Sequence, residues 1–262
     1  MHGGPLHQQP PCIWLVAGTG EGPALARALL ERGWRLVVSV VTAEAARAYA
    51  PHPLLTVQVG ALADQAASGK RIDQLRPRWV VDATHPFALR ISALLQAVCA
   101  ERRQSQSLLT LVRPEPQAAG PVTLLPALTS LDQLDLRGER LLLAIGSRHL
   151  RAALALSNAD THFARVLDRP ASLQLALAAG LSDGQLACLR PDRHGEGAIE
   201  LALCRRWRIS AVLCRQSGGP AEALWRRSCA ALGLRLLLLQ RPPAAAAGGL
   251  SMPQLLDRLG RP

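Results

Sequence analysis

Residues 12–22 read Cys12-Ile13-Trp14-Leu15-Val16-Ala17-Gly18-Thr19-Gly20-Glu21-Gly22, and the fold turns on them. An unbroken apolar run of this length suits a strand whose two faces are both covered, the situation of a central strand in a parallel sheet. Glycines follow at once, as they do where a strand turns directly into a helix. Pro23 is at home in a first helical turn, where its missing N–H goes unnoticed, and Ala24–Arg32 keeps helical spacing until Gly33 stops it. Arg35–Val41 is a second, Val-rich strand. Strand, glycine loop, helix and strand together form the building block of an α/β fold.

The rhythm continues outward from this unit. A short helix is expected over Ala43–Tyr49, a strand over Leu54–Val59, then a polar segment, a strand over Trp79–Asp82, a long helix from Pro86 to Arg103 and a fifth strand over Ser107–Val112. Residues 114–121 hold three prolines and a glycine, which interrupt both helix and strand, so they read as a linker. Beyond them Val122–Leu125, Arg140–Ile145, His162–Val166, Gln185–Leu189, Ile209–Cys214 and Leu234–Leu239 read as buried strands separated by helical patterns. Two Rossmann-like domains with mainly parallel sheets and a cleft between them follow, over residues 12–113 and 122–241. Residues 1–11 read as a flexible tail, and 242–262 as a tail with a short helix over Pro253–Leu259. The 262 residues suffice for two such cores.

The chain carries 30 Lys and Arg against 19 Asp and Glu, a net charge of +11 that favours a polyanionic partner. Lys70 is the only lysine, so the charge is almost wholly arginine. Its bursts, such as Arg102-Arg103 and Arg226-Arg227, stand where helices should end and lack the interleaved aromatics that stack on bases, so no nucleic-acid partner is expected. The six cysteines include no Cys-x-x-Cys pair, which points to no metal site and to a reducing, cytoplasmic compartment. No basic leader precedes the first strand, and the apolar run Leu234–Leu239 is too short to span a bilayer, so no membrane association is expected.

Ligands in open parallel sheets bind beyond the carboxyl ends of the strands. Gly18-Thr19-Gly20-Glu21-Gly22 lets the backbone approach a pyrophosphate at a helix N-terminus, although it lacks the third glycine of Gly-x-Gly-x-x-Gly. After the second strand, the hydroxyls of Ser39 and Thr42 are placed for a ribose phosphate; Thr42 reads equally well as a helix cap, and NADP against NAD stays open. The third loop, Asp82-Ala83-Thr84-His85-Pro86-Phe87, gathers polar groups at a strand end. Its bland reading is Thr84 as an N-cap with Pro86 in the first helical turn.

These loops resemble those of the precorrin-6A and cobalt-precorrin-6A reductases of corrin biosynthesis. Gly18-Thr19-Gly20-Glu21 resembles that family's Gly-Thr-x-Glu loop, and Asp82-Ala83-Thr84-His85-Pro86-Phe87-Ala88 matches its most specific segment residue for residue. Gly146-Ser147-Arg148 is similar to a Gly-Arg loop with one insertion. Cys214-Arg215-Gln216-Ser217-Gly218-Gly219 is similar to a Lys-Asn-Ser-Gly-Gly segment, with Arg215 and Gln216 as replacements. The likeness runs in order from Ile13 to Arg241.

The resemblance implies hydride transfer from NADPH, or alternatively NADH, to precorrin-6A or its cobalt form, giving the corresponding precorrin-6B. It implies a cofactor site of Gly18, Thr19, Gly20, Glu21, Ser39, Thr42, Asp82, Thr84, His85, Phe87, Ser217 and Gly218. Gly146, Arg148, Arg165 and Arg215 would contact the substrate, whose acetate and propionate groups suit bidentate guanidinium pairing; Arg169 is a further candidate. His85 is the candidate proton donor, with Asp168 and water as alternatives. A monomer or weak homodimer is expected. Another Rossmann reductase of a polyanionic substrate, or an Arg-rich nucleic-acid-binding protein, are the competing readings; the Tyr-x-x-x-Lys pair common in the former is absent around Tyr49, the only tyrosine.

Overall fold

The structure, a computed structural model, describes residues 10–18, 20–102, 107–114, 121–190, 197–243 and 248–262. Thr19 and most of the 114–121 linker therefore lie outside the described residues. The chain divides into two compact units, one of residues 1–113 with 242–262, the other of residues 114–241.

The first unit runs β1 (Cys12–Ala17), α1 (Glu21–Glu31), β2 (Arg35–Val40), α2 (Ala43–Ala46), β3 (Leu55–Val59), α3 (Gln65–Leu75), β4 (Trp79–Ala83), α4 (Leu89–Glu101) and β5 (Leu108–Thr110). Its sheet has the order β3-β2-β1-β4-β5, with every pairing parallel. The apolar run of β1 is explained residue by residue. Ile13, Leu15 and Ala17 enter one core with Leu25 and Leu29 of α1, while Cys12, Trp14 and Val16 enter another with Ile72 of α3 and Leu95, Val98 and Cys99 of α4. A strand covered on both faces tolerates no polar alternation.

Helix α3 occupies the segment whose composition looked merely polar. Asp64 caps it, its Oδ1 accepting from the Ala67 amide at 2.8 Å, and Ser68, Gly69 and Ile72 form its buried stripe. Small residues take the place of an apolar face there, which hides the helix from a reading based on hydrophobic periodicity.

The tail expected over 242–262 is instead part of the first unit. Leu250 exchanges backbone hydrogen bonds with the β5 neighbourhood, its amide donating to Thr110 and its carbonyl accepting from Val112, both at 2.8 Å. Helix α9 (Met252–Leu259) then places Leu255 and Leu259 in the α1-side core, and the Trp34 indole donates to the Gly260 carbonyl at 3.0 Å. Leu255 and Leu259 are one helical turn apart and share a face, so eight residues suffice to cover the far side of α1.

The second unit contains β6 (Val122–Leu125), β7 (Arg140–Ala144), α5 (Leu150–Leu156), β8 (Thr161–Leu167), α6 (Pro170–Ala178), β9 (Leu186–Leu189), α7 (Ala198–Arg206), β10 (Ala211–Arg215), α8 (Pro220–Leu232) and β11 (Arg235–Leu239). Its sheet order is β6-β11-β10-β7-β8-β9, again all parallel. Leu142, Val212, Cys214, Leu236 and Leu238 build one face of its core with Trp225 and Cys229 of α8. All six cysteines are free thiols, and Cys188 alone is not buried.

Candidate functional site

Strand order reverses direction beside β1 in the first unit: the chain leaves β1 toward β2 and β3, then returns across to β4 and β5. That reversal splays the following helices to opposite faces and opens a crevice at the carboxyl ends of β1 and β4. The register Ala17↔Ala83 starts the two loops side by side. A Cβ placed on Gly18 would lie 3.9 Å from the Thr84 Cα and 4.0 Å from the His85 nitrogen, so the glycine loop and the Asp82–Ala88 turn are neighbours. Helices α1 and α4 both begin here, and neither has a side chain capping its first amides. Two helix dipoles converge on one crevice.

Gly22, quoted with the loop but given no task, has a definite one. A Cβ there would sit 2.9 Å from the Ala17 Cβ and collide with the Tyr49 hydroxyl, so a glycine is needed for α1 to close onto β1. This is the close-packing role usually held by the third fingerprint glycine, served here one residue early. Glu21 opens α1 and accepts from Arg113 Nε at 2.7 Å, with the arginine only 5% exposed. Arg113, the last residue before the linker, neutralises the acidic residue at the α1 terminus.

The β4–α4 turn is organised by its own side chains. Asp82 is buried, and its Oδ1 accepts from both the amide of Thr84 at 3.0 Å and its hydroxyl at 2.7 Å, while Oδ2 accepts from Ser92 Oγ at 2.6 Å. The Asp82 carboxylate is thus engaged inside the turn. Neither Thr84 nor Pro86 starts the helix, because α4 begins only at Leu89. His85 Nδ1 accepts from the Phe87 amide at 3.2 Å, which leaves the proton of the neutral imidazole on Nε2, and the two rings lie 5.7 Å apart.

At the end of β2 the two hydroxyls face inward tasks. Ser39 is buried and accepts from the Trp14 indole at 2.9 Å; Thr42 caps α2, accepting from the Ala45 amide at 3.2 Å. What the carboxyl ends of β2 and β3 expose instead is apolar, with Val41 64% and Val59 53% accessible.

The second unit has its own reversal, between β7 and β10, and the loops predicted to matter meet there. Gly146 adopts φ 87° and ψ 148°, a region kept for glycine, and a Cβ on it would lie 3.5 Å from Arg215 Nη2. Ser147–His149 forms a single tight turn that brings Arg148 and His149 to the same place. Burial first, then the charges of Arg215 and Arg148, lowers the pKa of His149, even though part of the ring is open to solvent. Burial, then Arg148, lowers that of Arg215. No carboxylate pairs with Arg148 among the described residues.

Ser217 and Gly218 form the turn that leads into α8. The Gly218 amide donates to Glu222 Oε2 at 2.7 Å, and Glu222 pairs with Arg226 at 2.8 Å, both side chains buried. Glu222 thus holds the turn ahead of α8, while the N-cap Gly219, like those of α1 and α4, makes no side-chain cap. Arg165 does not join Arg148 and Arg215: it lies 3.5 Å from buried Glu200 of α7 and donates to the Arg190 carbonyl at 3.2 Å. Asp168 makes an exposed pair with Arg190, and Arg169 precedes α6.

Two doubly wound parallel sheets, each with the expected loops at its reversal, define a Rossmann-like α/β protein of two units. Residues 12–259 match the family described as "Precorrin-6x reductase CbiJ/CobK". The chain is 36% identical to a cobalt-precorrin-6A reductase of Synechocystis sp. over 88% of both chains, and 30% identical to a precorrin-6A reductase of Mycobacterium tuberculosis over 90% of this chain and 91% of the relative. A solved structure titled "CobK precorrin-6A reductase" superposes with a TM-score of 0.73 at 24% identity, covering 95% of this chain and 96% of that one, a likeness of fold. The chain belongs to the precorrin-6x reductase family.

Proposed function

We propose that this protein reduces precorrin-6A, in its metal-free or cobalt form, with NADPH or NADH as hydride donor. The family membership supplies the substrate class, and the crevice between the ends of β1 and β4 is the observation that carries the nucleotide. The fit is physical. Gly18 permits backbone approach, the N-termini of α1 and α4 suit a pyrophosphate through their dipoles, and exposed Val41 and Val59 offer an apolar seat for an adenine ring at the usual end of the sheet. Ser39 and Thr42, occupied by Trp14 and by the α2 cap, contribute fold rather than phosphate contacts in this reading.

The bound nicotinamide supplies a hydride, and the macrocycle takes up that hydride and one proton across a double bond. His85, with its proton on Nε2, acts as a hydrogen-bond donor that orients a ring in the crevice. A second proton on that ring would place a donor where the Phe87 amide already donates, so solvent water is the better proton source. In the second unit, Arg148 and Arg215 pair with substrate carboxylates.

The experiment is a single turnover with reduced nicotinamide deuterated at the transferring position, with mass spectrometry of the tetrapyrrole. One deuterium in the product is expected with NADPH or NADH, and none with either overturns the reading. Arg148→Ala and Arg215→Ala should each raise the KM for the tetrapyrrole roughly 10-fold or more, one lost charge-assisted pair of about 1.5–3 kcal/mol, and leave nucleotide binding unchanged.

A further inference from the structure

The β4–α4 turn holds a residue to which the proposed reaction gives no part. Thr84–Ala88 bridges strand and helix without helical hydrogen bonding of its own, and α4 then starts with no side-chain cap. Anchors inside the turn include Thr84 to Asp82, the Phe87 amide to His85 Nδ1, and the Ala88 amide to the His85 carbonyl at 2.7 Å. The link that joins the helix back to the strand is Ser92, whose hydroxyl donates to Asp82 Oδ2 across ten residues of chain.

The two oxygens of Asp82 therefore have separate tasks. Oδ1 ties the turn to the strand end, and Oδ2 ties the first turn of α4 to the same point. With Asp82 only 3% exposed, water competes poorly for either oxygen, and hydroxyl-to-carboxylate bonds are among the stronger ones. Loss of the Ser92 hydroxyl lets the carboxylate rotate, and rotation draws both Thr84 bonds with it.

We propose that Ser92 is a positioning residue for hydride transfer, acting through Asp82 to set the Thr84–Phe87 turn and hence the place of the His85 Nε2–H. This inference rests on the reading that His85 faces the nicotinamide. Displacement of a group beside reacting atoms by about 1 Å lowers a rate on the order of 100-fold, so a loosened turn has ample effect on kcat without abolishing binding.

The test compares the full-length wild type with Ser92→Ala, Ser92→Thr, Ser92→Cys, His85→Ala and the Ser92→Ala/His85→Ala double variant. The readouts are kcat, KM, the nucleotide Kd from nicotinamide fluorescence, and Tm. Ser92→Ala is expected to lower kcat roughly 10-fold or more while the nucleotide Kd stays within about twofold, and Ser92→Thr to restore it. In the His85→Ala background the same change should alter kcat by less than about twofold, since coupled residues lose their effects together. Where the alanine variant does not fold, Ser92→Cys, similar in size and a weaker donor, is expected to show an intermediate kcat with a normal Tm. Independent, multiplying losses at Ser92 and His85, a folded threonine variant as slow as the alanine one, or a cysteine variant at full rate overturns the inference. A wild type that binds and oxidises neither NADPH nor NADH instead removes the functional reading on which it stands.

Discussion

Replacing Leu255 and Leu259 together with alanine isolates the contribution of α9 to the first unit. Both side chains are essentially inaccessible, at 0% and 3%, within the core shared with Leu25 and Leu29. A buried Leu→Ala change costs about 2–5 kcal/mol, and two neighbours facing one void should cost about 4–8 kcal/mol together. Against a typical domain stability of about 5–15 kcal/mol, that is half or more of what holds the unit folded. With a urea slope of about 2 kcal/mol per molar, a loss of 6 kcal/mol lowers the midpoint by about 3 M. Urea titration followed by hydrogen exchange and mass spectrometry reads the two units separately. Residues 12–113 should lose protection early while 122–241 keep it, and Asp257→Ala, on the exposed side of α9, should leave both unchanged. A cost below about 1 kcal/mol for the double variant, or equal loss from Asp257→Ala, would refute the placement of α9 in that core.

Two further outcomes follow from buried charge. Glu222→Ala strands Arg226 in the core and leaves the Gly218 amide without its acceptor, so a loss of about 3–5 kcal/mol is expected in thermal denaturation, with a smaller loss for Glu222→Gln because its amide oxygen still accepts. Burial lowers the pKa of His162 from its ordinary 6.5, so the unfolded chain takes up that proton first; the contribution to stability is complete above about pH 6.5 and is lost as the pH falls below it. His162→Gln should make the acid limb of the stability curve shallower, and superimposable limbs for variant and wild type would count against this assignment.

The central strands are readable from composition because both of their faces are buried, and every strand segment expected from an apolar run has a counterpart in the structure. Helices were less plain where packing relies on small residues, as in α3, or where side chains capture the backbone ahead of the helix, as Asp82 and His85 do before α4. The site divides similarly. Loop positions were legible because glycines and polar groups follow strand ends. Partners brought from afar were not: Glu200 takes Arg165 from the arginine set, Trp14 takes Ser39, and Arg113 reaches Glu21 from the far end of the first domain's sequence. Gly22 carried the one overlooked signal, a third glycine whose spacing differs from the usual fingerprint.

The return of residues 242–262 to the first unit has a consequence for how the chain is made. A ribosome that has finished β5 has delivered every strand of the first sheet but neither Leu250 nor α9, which arrive only after the whole of the second unit. At about 5–20 residues per second, the α1 face carrying Leu25 and Leu29 waits on the order of ten seconds for its cover. The second unit, contiguous in sequence, can complete itself during that interval. Maturation thus runs in the reverse of chain order, with the crevice at the ends of β1 and β4 sitting in the half that is begun first and finished last.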